Sequence, residues 1–267
     1  MDFHTFEQSG WQRAAAQYGG AFGSVTSQTT PSLLKAVGAG PGVRLLDVAT
    51  GPGYVAEAAA AAGASAVGLD FAQAMVALAR QRCPSIPFDE GDAEALPYDD
   101  ACFDAVTINF GVLHLARPDT ALAESARVLA SGGRCGFTVW ASPDVAVGFG
   151  LVLRAVEAHG RTDVSLPEGP PFFRFSDPEE CRRTMRAVGF ADPEVVQLPL
   201  VWRVESADAV YEAFVGGAVR TAALLQAQSP DASAAIRRAV REGVERYRGE
   251  RGIEIPMPAV LASATKT

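Results

Sequence analysis

The sequence predicts an α/β fold, a doubly wound and mostly parallel sheet with a helical cap. Short apolar runs rich in β-branched residues alternate with helical stretches from about residue 43 to residue 140, a pattern typical of parallel strands joined by crossover helices. A glycine-rich turn, Gly51–Gly53, follows the first of these runs directly. The chain has 267 residues, 48% of them hydrophobic, which is enough for one large domain.

The first half of the chain supplies the elements of that pattern in order. Its apolar runs predict five strands: Val43–Val48, Ala66–Leu69, Ile86–Phe88, Ala105–Ile108 and Cys135–Trp140. Helical spacing between them predicts three helices: Tyr54–Ala62, Phe71–Arg82 and Asp119–Leu129. In the second of these helices, Phe71, Met75 and Leu78 share one face. Ser131–Gly133 then turns the chain into the fifth strand.

The second half has a different character. Ser176–Glu179 reads as a capping box with proline in the first turn, and Gly189 ends that helix. The patterns further predict strands Val195–Val204 and Pro258–Ala264, and helices Ala207–Gln228 and Ala232–Tyr247. We therefore expect a single domain of residues 1–267. Its sheet core would comprise about 31–140, 176–204 and 253–267, and its cap 1–30, 141–175 and 205–252.

Composition excludes several classes of protein. The formal net charge is −8, whereas a broad nucleic-acid surface needs concentrated Lys and Arg. The four cysteines form no CxxC pair, and three scattered histidines suggest no metal site. No signal peptide or membrane span is visible in the sequence. We expect a cytoplasmic protein with reduced thiols and a small-molecule partner, and the sequence does not predict an oligomeric state.

Two features predict a nucleoside site. Gly51 and Gly53 allow the backbone to approach a ligand closely, and the helix that follows presents free N–H groups there. Asp70 ends the second strand, nineteen residues after Gly51, where a carboxylate can accept two hydrogen bonds from ribose hydroxyls. A plain glycine turn with a surface aspartate would explain either feature alone, but explains both at this spacing poorly.

The glycine turn by itself fits two classes of enzyme. Gly51–Ala56 matches the G-x-G-x-x-A form of the dinucleotide fingerprint, which keeps an NAD(P)-dependent oxidoreductase open. The longer stretch Asp47-Val-Ala-Thr-Gly51-Pro-Gly53 resembles the first motif of the class I S-adenosylmethionine-dependent methyltransferases, in particular the small-molecule group that includes the quinone C-methyltransferases. In that family the motif is an acidic residue followed by x-G-x-G-x-G, and here Ala49 replaces the first glycine.

The resemblance continues through three later segments in order. The stretch Val67–Arg80 is similar to the family's second motif and Glu90–Val106 to its third, while Ala126–Trp140 resembles its helix–Gly-Gly–strand signature. The resemblance covers about residues 33–140 firmly. It implies seven strands in the order 3-2-1-4-5-7-6, with the seventh antiparallel, and S-adenosylmethionine as cofactor.

The same resemblance implies a set of cofactor residues. Asp70 would hold the ribose, Phe71 would lie against the adenine, and Asp92 with the Ala93 backbone would read the adenine edge. A tyrosine or arginine of the amino-terminal segment, Tyr18 or Arg13, would close over the methionine end, unless it only packs the cap. The complete expected set is Tyr18, Asp47, Ala49, Thr50, Gly51, Gly53, Asp70, Phe71, Met75, Asp92, Ala93, Asn109 and Phe110.

The expected reaction is methyl transfer to a small, apolar or aromatic acceptor, with release of S-adenosylhomocysteine. Asn109-Phe-Gly-Val replaces the Asn/Asp-Pro-Pro-aromatic tetrad of DNA amino-methyltransferases, which further disfavours nucleic acid. Besides the oxidoreductase, a catalytically silent S-adenosylmethionine-binding protein remains open. His114, just after the fourth strand, is the candidate general base, although packing within Val112–Leu115 is the interpretation that the sequence favours.

Overall fold

The computed structural model describes all 267 residues, and its centre is a seven-stranded sheet of order β3-β2-β1-β4-β5-β10-β6. Strands β1 to β5 are parallel to one another, whereas β10 runs antiparallel to both β5 and β6. This confirms the predicted class and strand order, with β10 as the expected antiparallel seventh strand. The strands are β1 Arg44–Val48, β2 Ser65–Asp70, β3 Phe88–Glu90, β4 Phe103–Asn109, β5 Leu129–Trp140, β6 Phe190–Leu198, β7 Val201–Val204, β8 Arg248–Gly249, β9 Gly252–Pro256 and β10 Ala259–Lys266.

Helices cover both faces of this sheet and extend beyond one of its edges. A five-residue π-helical turn, Gly19–Gly23, directly follows the long first helix. Helix α11 packs on both α7 and α9, and α1 packs on both α5 and α9. The helices are α1 Phe3–Tyr18, α2 Ser24–Thr26, α3 Thr30–Ala36, α4 Tyr54–Ala61, α5 Gln73–Arg82, α6 Pro118–Val128, α7 Val147–His159, α8 Pro178–Ala187, α9 Ala207–Gly217, α10 Arg220–Gln226 and α11 Pro230–Glu245.

The predicted strand Val195–Val204 is wrong, because two strands in different sheets occupy that stretch. Strand β6 ends at Leu198, and β7 belongs to a separate three-stranded sheet of order β7-β9-β8. Pro199 and Leu200 lie between them, and the antiparallel register is the same on both sides: Leu198 pairs with Ala259 and Val201 with Pro256. Residues 201–204 and 253–256 therefore lie outside the main sheet, although the predicted sheet core included them.

Two helix predictions in the second half also need correction. The predicted helix Ala207–Gln228 is two helices, because α9 ends at Gly217 and α10 begins at Arg220. A Cβ atom on Gly217 would lie 2.5 Å from Ala21 Cβ, so the chain needs glycine here even though glycine disfavours helix. The capping box is wrong as well: Asp177 is the N-cap of α8, and its side chain accepts a hydrogen bond from Glu179 N.

Parallel topology decides where the polar residues of the sheet meet. The carboxyl ends of β1, β2 and β4 lie side by side, where the loops that follow parallel strands commonly form ligand sites. Helix α1 crosses this edge: Gln8 Nε2 donates to Phe71 O (2.9 Å), and Gln12 Oε1 accepts from Ala74 N (3.0 Å). No helix is both long and apolar enough to span a membrane.

Candidate cofactor and acceptor site

The loop after β1 contains three residues in the left-handed region of backbone conformation. Ala49 has φ of 53°, Gly51 of 53° and Gly53 of 82°. A Cβ atom built on Gly53 would lie 2.9 Å from the Phe88 ring, whereas one on Gly51 would meet nothing within 4 Å. Gly53 therefore allows the following helix to pack on the sheet, and Gly51 borders open space that a ligand can enter.

Asp47 fixes the shape of this loop from below. The side chain is almost fully buried, and its carboxylate accepts hydrogen bonds from Thr50 Oγ1 (2.6 Å) and Thr107 Oγ1 (2.8 Å). Burial raises the pKa of Asp47 to about 6. The first acid of the motif thus supports the loop internally and does not line the cavity above it.

Asp70 ends β2 on the cavity side of the loop. One carboxylate oxygen accepts from Gly51 N and the other from Ala72 N, both at 2.9 Å. A carboxylate oxygen has two lone pairs, so each oxygen keeps one acceptor site for a ligand hydroxyl. Burial raises the pKa of Asp70 to about 6, and at neutral pH the group is therefore mainly ionised and able to accept.

The loop and Asp70 border a cavity of about 570 Å³, including the part open to solvent. Most of the predicted cofactor residues line it: Tyr18, Ala49, Gly51, Asp70, Phe71, Met75, Ala93, Asn109 and Phe110. Asp47, Thr50, Gly53 and Asp92 do not. The lining also contains Trp11, Leu69, Gly91, Gly111 and Leu115, which the sequence analysis did not identify as site residues.

Asp92 lies at the side of the cavity, where α1 reaches it. His4 Nε2 is 3.1 Å from Asp92 Oδ2, and the His4 ring meets the Phe71 ring edge-on at 5.7 Å between centroids. The other carboxylate oxygen of Asp92 accepts from Glu94 N at 2.8 Å. His4 therefore belongs to the surroundings of Phe71 and Asp92, a placement that the sequence analysis did not anticipate.

Asn109 connects the end of β4 to the segment that follows α1. Its Oδ1 accepts from Thr29 Oγ1 (2.7 Å) and from Thr138 Oγ1 (2.5 Å), and its Nδ2 donates to Thr26 O (3.3 Å). These bonds hold the amide in one orientation at the cavity wall. The next residue, Phe110, has φ of 54° and places its ring 4.2 Å from the Trp140 ring, centroid to centroid.

A second cavity, of about 430 Å³ including open space, adjoins the first. Four residues line both cavities: Trp11, Tyr18, Phe110 and His114. Aromatic rings dominate the rest of the second lining, with Phe22, Trp140, Phe149 and Phe172 contributed by separate segments. A cavity lined in this way suits a flat, apolar ligand, and its neighbour suits a nucleoside.

Tyr18 stands at the boundary between the two cavities. Its hydroxyl is 3.2 Å from Thr26 Oγ1, and its ring meets the Trp11 ring edge-on at 5.6 Å between centroids. Burial raises the pKa of the Tyr18 hydroxyl to about 12, so the group stays neutral at any physiological pH. Arg13, the other residue considered for this role, lines neither of the two cavities.

His114, the candidate base, is tied to a buried carboxylate. Its Nδ1 lies 3.0 Å from Oε2 of Glu7, whose side chain has no exposed surface. Arg220 Nε donates to the other Glu7 oxygen at 2.9 Å. Glu7 and Trp11 were not among the residues expected at the site from the sequence. Positions 4, 7, 11 and 18 are three, four and seven residues apart, so His4, Glu7, Trp11 and Tyr18 share one helical face. This spacing is the sequence pattern that could have identified Glu7 and Trp11.

The titratable side chains offer no metal centre. Nowhere in the chain does the structure gather three or more His, Cys, Asp or Glu side chains in a way that could hold a metal ion. The fold and the two adjoining cavities instead define a Rossmann-like protein with space for a nucleoside beside a second, largely apolar cavity.

Comparison with known proteins identifies the family. The methyltransferase domain family matches residues 46–137. Demethylmenaquinone methyltransferase from Renibacterium salmoninarum is 49% identical over 102 residues, which cover 38% of this chain and 43% of that protein. The enzyme of the same name from Clavibacter sepedonicus is 35% identical over 178 residues, covering 60% of this chain and 70% of that protein. The chain thus spans from under half to just over two thirds of these relatives' length.

A solved structure shows the same fold at low sequence identity. The YcgJ protein of Bacillus subtilis superposes with a TM-score of 0.58 and 17% identity, over 90% of this chain and 98% of that one. With these relatives, the chain belongs to the class I S-adenosylmethionine-dependent methyltransferases and is similar to the quinone methyltransferases among them. Its cofactor is S-adenosylmethionine, and the comparisons lend no support to an oxidoreductase or a silent binding protein.

Proposed function

We propose that this chain methylates a flat, apolar aromatic acceptor, with the quinols of naphthoquinones as the leading class. One observation carries the proposal: the cavity that contains the cofactor motifs shares four lining residues with a second cavity, which is rich in aromatic rings. The names of the relatives support a quinone-like acceptor, since they are demethylmenaquinone methyltransferases.

The residues at the first cavity fit S-adenosylmethionine. Each oxygen of Asp70 keeps one lone pair for a ribose hydroxyl. The missing Cβ of Gly51 leaves open space above the loop, and Phe71 and Met75 supply apolar lining. We assign Asp70 to the ribose, Phe71 to the adenine and Asn109 with Phe110 to the region of the sulfonium. Bound there, the cofactor supplies a methyl group activated by positively charged sulfur.

The second cavity positions the acceptor. Phe149 meets the rings of Trp140 and Phe172 with centroids 5.5 and 5.4 Å apart. Aromatic walls in contact with one another hold a planar ligand by stacking and by excluding water. Because displacement at the methyl carbon must be in line, holding both ligands across the shared wall supplies a large part of the catalysis.

The proposal is tested by binding and turnover with the purified chain. We expect calorimetric titration to show binding of S-adenosylhomocysteine and none of NADH. We also expect transfer of radiolabelled methyl from S-adenosylmethionine to 1,4-dihydroxynaphthalene, kept reduced by dithionite. A protein that binds NADH and not S-adenosylhomocysteine would contradict the proposal, and so would one that binds the cofactor product but methylates none of a panel of naphthols and hydroquinones.

A further inference from the structure

The carboxylate of Glu7 lies between a histidine and an arginine. Glu7 Oε2 is 3.0 Å from His114 Nδ1, and Glu7 Oε1 accepts from Arg220 Nε at 2.9 Å. The remaining guanidinium nitrogens of Arg220 donate to Pro170 O and Leu113 O, both at 2.7 Å. Arg220 therefore uses three of its five N–H donors within the protein. One of these bonds holds the Glu7 carboxylate in place beside a positive charge.

This arrangement fixes the tautomer of His114. An ionised carboxylate only accepts hydrogen bonds, so Nδ1 of a neutral imidazole must carry the proton. The lone pair then belongs to Nε2, which makes no hydrogen bond to the protein and is not enclosed by it. Trp11 and Phe172 meet the ring edge-on at 4.7 and 5.8 Å between centroids, which restricts its rotation. His114 borders both cavities.

We infer that His114 is the general base of the reaction, that Glu7 is its positioning residue, and that the acceptor carries a phenolic or quinol hydroxyl. This inference rests on the proposed function. The acceptor hydroxyl gives its proton to Nε2. The freed electron pair, on oxygen or delocalised to a ring carbon, forms the bond to the methyl carbon, and the pair of the broken carbon–sulfur bond stays on sulfur. For attack from carbon, loss of the ring proton restores aromaticity, and the oxygen takes its own proton back from the imidazolium. One proton is released to solvent, and no oxidant is required.

The same geometry stabilises the product of proton transfer. An imidazolium at position 114 gains a charge-assisted bond to Glu7, and this is how a carboxylate behind a histidine assists a base without accepting the proton itself. The other titratable groups that face this region are Arg220 on α10, Tyr18 on α1 and Asp70 across the first cavity. Because Asp70 affects cofactor binding, the pH dependence is to be measured as kcat with saturating S-adenosylmethionine.

The experiment compares His114→Asn and Glu7→Gln with matched controls, His159→Asn and Glu157→Gln, which change exposed residues of α7. Two acceptors are used: 1,4-dihydroxynaphthalene, which must lose a proton, and a nitronaphthol already ionised at the assay pH. For the diol we expect His114→Asn to lower kcat by about 100- to 10,000-fold. We also expect the variant to lose the increase of kcat with pH that a general base gives the wild type. For the nitronaphthol we expect a loss of less than about tenfold, because the base is no longer needed.

Glu7→Gln has a readout that a purely structural role would not change. The glutamine amide can donate to Nδ1, which favours the wrong tautomer. We expect nitrogen NMR to show Nδ1–H in the wild-type protein and a shifted tautomer population in the variant, with kcat for the diol at least about tenfold lower. Both controls should keep wild-type activity.

The outcomes separate the two hypotheses. If the wild-type chain does not bind S-adenosylhomocysteine, the proposed function fails. If it binds and methylates, but His114→Asn slows both acceptors equally, the assignment of the base is overturned. Binding without methylation of any phenol or quinol overturns the acceptor class. If thermal unfolding shows that His114→Asn does not fold, the test rests on the NMR tautomer of His114 and on the kcat of Glu7→Gln. An Nε2–H tautomer in the wild-type protein then refutes the inference.

Discussion

Asp70→Asn should separate cofactor binding from stability. In the wild type each carboxylate oxygen accepts one backbone N–H and leaves one lone pair for the ribose. An asparagine amide has only one accepting oxygen, so at least one charge-assisted ribose bond is lost, a contribution of about 1.5–3 kcal/mol. This corresponds to an affinity for S-adenosylhomocysteine about 10- to 150-fold lower, measured by calorimetry at pH 7.5.

The same substitution should not destabilise the free protein at neutral pH. Burial raises the pKa of Asp70 from 3.8 to about 6, so the folded state binds this proton more tightly than the unfolded state does. Stability contributed by Asp70 is therefore present at low pH and falls as the pH rises from about 4 to about 6, by roughly 3 kcal/mol. Removing the charge recovers this cost, which offsets a lost backbone hydrogen bond of about 1 kcal/mol.

Two measurements check that Asp70→Asn weakens cofactor binding and does not lower the free energy of unfolding. Urea denaturation at pH 7.5 should give an unfolding free energy for Asp70→Asn equal to or above that of the wild type. Calorimetric titrations should show wild-type affinity falling as the pH drops below about 6, as Asp70 takes up its proton, and a weaker dependence in the variant, where Asp47 still titrates. Unchanged affinity for S-adenosylhomocysteine would refute the ribose assignment, and a large loss of stability would refute the sign of the burial effect.

Three further substitutions test the glycine turn after β1 and the second cavity. Gly53→Ala should lower the unfolding free energy by at least about 1–2 kcal/mol in urea denaturation, because it adds a left-handed alanine and a Cβ 2.9 Å from Phe88; unchanged stability would contradict this. Gly51→Ala adds the free-energy cost of a left-handed alanine, but its Cβ would meet no protein atom within 4 Å. Because the Cβ fills space that the cofactor needs, calorimetry should show S-adenosylhomocysteine binding weakened by more than about tenfold. Phe172→Ala should raise KM for the acceptor and leave cofactor-product affinity within about threefold, and the reverse pattern would place the acceptor elsewhere.

The sheet was predictable because its information is local. Alternating short strands and helices, with glycines at the turns, indicated parallel order without knowledge of distant contacts. Errors arose where the chain is interrupted locally. The predicted strand 195–204 is interrupted at Pro199 and Leu200, and the predicted helix 207–228 is interrupted after Gly217, which lies close to Ala21. Neither interruption changes the periodicity of apolar side chains, and that periodicity was the basis of the strand and helix predictions.

Nine of the thirteen residues expected at the cofactor line one cavity, and Asp47 is an informative case among the four that do not. Asp47 lies in the first motif, yet its side chain is engaged with Thr50 and Thr107 below the loop. A motif indicates that a residue is required by the local structure, but it does not distinguish a residue that touches the ligand from one that supports the loop. The list of residues that line the cavity separates these two kinds of residue, whereas the sequence motif does not.

The acceptor side was much less predictable, and the reason is topological. Residues around the second cavity come from α1, from the segment after β4, from the segment before α8 and from α10, and Glu7 pairs with residues 107 and 213 positions away. No short motif can encode such a group, because its members meet only after the sheet has formed and the helices have packed over its edge. The segments outside the sheet therefore supply most of the lining of the second cavity. Since α1 supplies Trp11 and Tyr18 to both cavities, substitutions at these two residues should weaken the binding of both ligands.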